Sequence, residues 1–103
     1  MSKFRRVANV TSIPSGKAAI FDVGDKKIAV YNVAGVFYAV DNACSHRGGP
    51  LGEGSLHSTT ITCPWHGAQF DVASGQVLGL PASADITCYA TKVEEGGVWV
   101  AIP

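Results

Sequence analysis

Two short stretches hold the side chains with the strongest affinity for metals. C-S-H-R-G-G at 44–49 sets Cys44 and His46 two positions apart, and C-P-W-H-G-A-Q-F at 63–70 sets Cys63 and His66 three apart. Sixteen residues, 47–62, lie between the second histidine-bearing pair and His46. Thiolate is a soft donor and neutral imidazole a borderline one, so four such groups on two loops can close round zinc or iron. Zinc accepts two cysteines and two histidines tetrahedrally, but its sites usually pair like with like along the chain. Here each loop carries one of each. That suits a two-iron cluster in which one iron takes both sulfurs and the other both nitrogens. A bland reading, with two buried small cysteines and two ordinary loop histidines, asks for four coincidences at once.

The elements that must position these loops are short. The chain has 103 residues, enough for one domain with a modest core that a bound metal would help to hold. Runs such as "RRVANV", "KAAIFDV", "KIAVYNV", "VFYAVDN", "STTITCP", "AQFDV", "ITCYATKV" and "GVWVAI" have strand composition and are punctuated by Gly, Asp, Asn and Pro. "VGDK" at 23–26, "VAGV" at 33–36 and "EEGG" at 94–97 predict hairpin turns. Apolar residues never recur at helical spacing over three turns, so any helix is a turn or two long. The expected fold is all-β, an antiparallel sandwich or barrel. Into it is inserted a small glycine-rich, site-bearing subdomain of about residues 42–81, with a hairpin between the two loops to bring them together.

At these motifs the sequence resembles a known family. C-S-H-R-G-G and C-P-W-H-G-A-Q-F are similar to the paired motifs of Rieske [2Fe–2S] proteins, and above all to the small ferredoxins of bacterial multicomponent oxygenase systems. The resemblance covers essentially the whole chain. It implies one [2Fe–2S] cluster, with Cys44 and Cys63 on the buried iron and His46 and His66 on the iron nearer solvent. It also implies a one-electron carrier that a flavin-containing, NAD(P)H-dependent reductase reduces and that a terminal Rieske oxygenase oxidises, in the breakdown of aromatic compounds. Small Rieske subunits of nitrite reductases form an alternative, and a zinc-stabilised interaction module is another.

The resemblance further bears on potential. Two neutral imidazoles in place of two thiolates make reduction easier, giving roughly −150 to +300 mV against about −400 mV for four-cysteine clusters. High-potential family members carry serine two positions, and tyrosine four positions, after the second histidine, with hydroxyls donating toward the cluster sulfurs. Here those positions are Ala68 and Phe70. The two further cysteines that clamp the loops of high-potential relatives correspond to Gly49 and Trp65. A potential near the low end of the range is therefore expected.

What remains excludes other classes. Lys and Arg balance Asp and Glu at 8 each, which gives bulk electrostatics no hold on nucleic acid or an anionic membrane. The longest apolar tract, 28–40, is too short to span a bilayer and reads as two strands round a turn. Arg5 and Arg6 are followed by no apolar segment and read as a charged strand edge, so a cytoplasmic protein is expected. After the cluster takes two histidines only His57 is left, too few for a mononuclear 2-His-1-carboxylate iron, so no catalytic site of its own is expected. His57 reads as an exposed strand-edge residue and Cys88 as a buried small one. Trp65 is a shield of the site, part of a docking face, or a plain packing residue. Pro81 reads as the stiffener of a covering loop, and Arg47, Glu53 and Asp71 as rim charges. "GGPLGEG" lacks the lysine of a phosphate loop and reads as wrapping around the site.

Overall fold

The computed structural model describes residues 3–45, 48–65, 67–80 and 84–102. Its strands are β1 (Lys3–Asn9), β2 (Ala18–Val23), β3 (Lys26–Val33), β4 (Val36–Asp41), β5 (Ser55–His57), β6 (Thr60–Thr62), β7 (Gln69–Asp71), β8 (Val77–Gly79), β9 (Cys88–Tyr89), β10 (Thr91–Glu94) and β11 (Gly97–Ile102). Single 3₁₀ turns occur at Val10–Ser12 and Leu51–Glu53. The antiparallel β architecture takes the form of three sheets, in the orders β1-β11-β10, β2-β3-β4-β9 and β5-β6-β7-β8.

The second sheet is the middle layer, and the alternation of its side chains shows why. On β3, Ile28 and Val30 enter one core with Phe37 and Ala39 of β4 and Val98, Val100 and Ile102 of β11. Ala29 and Tyr31, one position out of phase, enter the other core with Val40, Ile61, Phe70 and Val72. Successive strand side chains point to opposite faces, so a strand apolar at every position must be buried on both. This accounts for the largely apolar tract at 28–40. The first sheet covers one face, and the third sheet with the cysteine loops covers the other.

Three hairpins close where the turns were expected. Val23 pairs with Lys26, Val33 with Val36 and Glu94 with Gly97. In the last two both central residues have positive φ, 53° and 92° at Ala34 and Gly35 and 51° and 73° at Glu95 and Gly96, which matches the twist of the flanking strands. The run at 86–93, by contrast, is two strands and not one. β9 pairs with β4 and β10 with β11, so the chain changes sheets at Ala90 because neighbouring strands draw on the two halves separately. β8 had no clear sequence signature; it is three residues long and held by β7.

Asn32 is a buried polar residue with a structural task. Its amide donates to the Ile13 carbonyl at 2.7 Å, and its Oδ1 accepts the Gly35 N–H at 2.7 Å, tying the β3–β4 turn to the chain entering β2. Asn32→Leu leaves both partners without it, and buried unpaired groups cost about 1–3 kcal/mol each. Thermal unfolding of this variant is expected roughly 10 °C below the parent, with metal content unchanged. An unaltered melting temperature would show that the amide does not secure the turn.

Candidate metal centre

The two cysteine loops are built alike. The Cys44 N–H donates to the Gly49 carbonyl at 2.9 Å, and the Cys63 N–H donates to the Ala68 carbonyl at 2.7 Å, so each cysteine closes a six-residue loop on its own backbone. Each loop turns through a glycine in the left-handed region, Gly48 at φ 73° and Gly67 at φ 76°. Such a conformation is free for glycine and strained for other residues. In sequence, His46 and His66 fall inside the loops so closed, but both lie outside the described residues, as do Arg47 and Pro81.

The scaffold fixes the bases of these loops. The first loop leaves β4 at Asn42, whose Oδ1 accepts the Gly52 N–H at 2.8 Å and whose carbonyl accepts the Leu51 N–H at 2.7 Å. Gly52 could not be larger: an added Cβ would stand 2.3 Å from Ile20 Cγ1. The second loop joins β6 to β7, and β5–β6 is the intervening hairpin that returns it beside the first. Ser45 Oγ donates to the Ala84 carbonyl at 2.6 Å, fastening the first loop to the segment before β9.

Cys44 and Cys63 are both buried and neither forms a disulfide. Burial raises the pKa of the Cys63 thiol; the Trp65 backbone N–H, 3.4 Å from its sulfur, lowers it, and the adjacent Cys44 thiol raises it again. A buried thiol whose pKa is raised, as at Cys63, would give up its proton most readily to a bound cation. Leu51, Ile61, Ala68 and Phe70 pack round them in the same core. Among the described residues no group of three or more His, Cys, Asp or Glu forms, so the described donors of the site are the two sulfurs.

Gly49 and Trp65 meet across the loops. A Cβ on Gly49 would lie 2.7 Å from Cys63 Sγ and 3.1 Å from the indole ring of Trp65. The bare Cα of one loop thus seats against the indole of the other, and ring packing joins the loops at the two positions where a disulfide was judged missing. Trp65 still leaves 49% of its surface exposed, so it both packs and faces solvent.

Other residues fall out differently. His57 is exposed at the end of β5, opposite Thr60. Cys88 is exposed, against the expectation of burial, because β9 is a two-residue edge strand with no further strand paired to it among the described residues. Its thiol donates to the Ala73 carbonyl at 3.4 Å, and partial burial first, then Asp71, raise its pKa and make the thiol a weak nucleophile. Asp71 accepts the Ala73 N–H at 2.9 Å and shapes the turn after β7, whereas Glu53 is exposed. Arg5 and Arg6 are exposed on β1. No helix among the described residues is long and apolar enough to cross a membrane. Sequence reasoning missed the role of Asn42, although an asparagine between a strand and a glycine-rich loop is a usual loop-fixing residue.

The fit at Gly49 yields a direct check. Gly49→Ala should cost about 1–3 kcal/mol by overpacking and should lower the metal bound per chain. Thermal unfolding and metal analysis together measure this; full metal content with an unchanged melting temperature would contradict the packing described.

The buried, adjoining thiols suit a thiophilic metal centre, and known proteins of this build carry one. Residues 3–90 match the model of the Rieske [2Fe-2S] domain. The 3-phenylpropionate/cinnamic acid dioxygenase ferredoxin subunit of Escherichia coli (strain K12) is 38% identical over 95 residues, covering 91% of this chain and 89% of the relative. The structure of the ferredoxin of carbazole 1,9a-dioxygenase from Nocardioides aromaticivorans IC177 is 31% identical with a TM-score of 0.93, over 97% of this chain and 98% of that one. A ferredoxin solved in complex with its oxygenase in carbazole 1,9a-dioxygenase superposes with a TM-score of 0.89 at 32% identity, over 95% and 92% of the two chains. With the fold, the loops and nearly the full length in common, this chain belongs to the Rieske [2Fe-2S] family.

Proposed function

We propose that this chain is a soluble, cytoplasmic one-electron carrier, a low-potential Rieske ferredoxin. It accepts electrons from a flavin-containing NAD(P)H-dependent reductase and delivers them singly to the terminal oxygenase of an aromatic-ring dioxygenase system. The observation that carries this reading is the extent of the likeness to ferredoxin subunits. It runs over nearly all of both chains, so what is shared is the whole of a ferredoxin subunit. The 103 residues are then a single domain in which 42–81 holds the cluster.

Cys44 and Cys63 would hold one iron, and His46 and His66 the other. When bound, the cluster takes up one electron and gives it back. The chain's own contribution is to keep the cysteine sulfurs dry, to hold both loops by their backbone closures, and to set how many donors face the sulfurs. A donor stabilises the reduced and more negative state, and so raises the potential. The Trp65 N–H is one such donor. Ala68 and Phe70, both fully buried, offer only carbon where a hydroxyl would strengthen the effect. A potential near the lower end of the Rieske range follows, suited to an electron that began on a nicotinamide. Substrate chemistry belongs to the partner, since three histidines cannot furnish both this cluster and a mononuclear iron site.

Two measurements test the proposal. Ala68→Ser and Phe70→Tyr should each raise the potential, by roughly 40 mV for a hydrogen bond worth about 1 kcal/mol, as film voltammetry would record. An unchanged or lower value would contradict the account of the sulfurs. In a reconstituted system of reductase, dioxygenase and aromatic substrate, product formation should need this protein, which alone should convert nothing. Turnover that is equal without it, or hydroxylation by the protein alone, would overturn the carrier role.

A further inference from the structure

Tyr31 carries a buried polar atom that no described residue satisfies. It stands on β3 between Val30 and Asn32, and its side chain enters the core that contains Cys44 and Cys63. The residue is fully buried. Its hydroxyl has no hydrogen-bond partner among the described residues. Its strand neighbours are Ala18 on β2 and Tyr38 on β4, and the surrounding core is apolar.

A buried hydroxyl without a partner costs about 1–3 kcal/mol. Phenylalanine would fill the same space without that cost, so the oxygen calls for a partner beyond the described residues, and a bound group in the same core is one. The direction of the ring supplies one. It points from the scaffold sheet into the core that holds the cysteine sulfurs, and the phenol lies close enough to feel the charge of Cys63. Burial first, and Cys63 second, push the phenol well above its ordinary range, so it keeps its proton and can only gain as a donor.

We propose that Tyr31 is a hydrogen-bond donor to the iron–sulfur centre, its hydroxyl serving a sulfur on the Cys63 side and raising the reduction potential. In this chain the hydroxyl comes from the middle sheet, whereas positions 68 and 70 in the second loop carry none. The potential is then set jointly by Tyr31 and the Trp65 N–H. The inference rests on the proposal that Cys63 is a ligand.

The test uses the cluster-loaded protein. Tyr31→Phe should retain iron and sulfide but lower the equilibrium constant for reduction about tenfold, about 59 mV for one electron. Its iron–sulfur stretching bands in the resonance Raman spectrum should shift, and they should respond less to D₂O than those of the parent. Replacement of Tyr31 by 3-fluorotyrosine, a stronger donor of nearly the same size, should move the potential the other way, and it keeps the test decisive if Tyr31→Phe loads poorly. If Tyr31→Phe has the parent's potential and bands with a higher melting temperature, the hydroxyl is a structural orphan and the proposal is overturned. An unmoved potential with an unchanged melting temperature, as a hydroxyl satisfied by buried water would give, overturns it equally. In either case the carrier role stands. A Cys63→Ser variant that keeps a full, unaltered cluster would instead remove the ligand assignment beneath it.

Discussion

Two cysteine side chains held against each other in an apolar core form an arrangement suited to a thiophilic metal. Both sulfurs are buried, and for Cys63 burial and the neighbouring Cys44 both oppose the thiolate. A metal bound there would supply positive charge from inside the core, and its binding energy would become folding energy. The rest of the structure follows from the need to bring these sulfurs together. Neither belongs to a regular strand, so both must be fixed by loop closures of the kind seen at Cys44–Gly49 and Cys63–Ala68.

Those closures would have little value on a mobile support. The middle sheet provides the rigidity because both its faces are buried. It packs on β11 through Ile28, Val30 and Ala39, and on the cysteine loops and third sheet through Ala29, Tyr31 and Val40. Asn32 and Asn42, the two buried polar side chains of that sheet and its exit, turn the chain without leaving backbone groups unpaired. Close approach at Gly49 and Gly52 then lets the loops sit directly on their neighbours.

The parts of this design that were legible in the sequence are those governed by local chemistry. The glycines at 24, 35 and 96 marked three hairpins, and a 13-residue apolar tract interrupted by a turn marked two strands at 28–40. The paired Cys and His spacing named the candidate site. Less legible were features that depend on what packs against what. The break at Ala90 is invisible locally, because β9 and β10 each satisfy strand composition while serving different sheets. Cys88 looked apolar enough to be buried, yet its strand is an edge. Nothing in the sequence sets Tyr31 apart, and only the parity of β3 shows that its side chain enters the same core as the sulfurs.

Setting the potential is then a question of how many protons point at sulfur, and the fold controls that from two sides, the second loop and the middle sheet. None of this has meaning unless the centre is a mixed-ligand pair of irons. Electron paramagnetic resonance of the dithionite-reduced protein tests that most directly. The account predicts a red-brown protein that bleaches on reduction and gives a rhombic signal from one unpaired electron per chain. A colourless, EPR-silent protein containing zinc would contradict it.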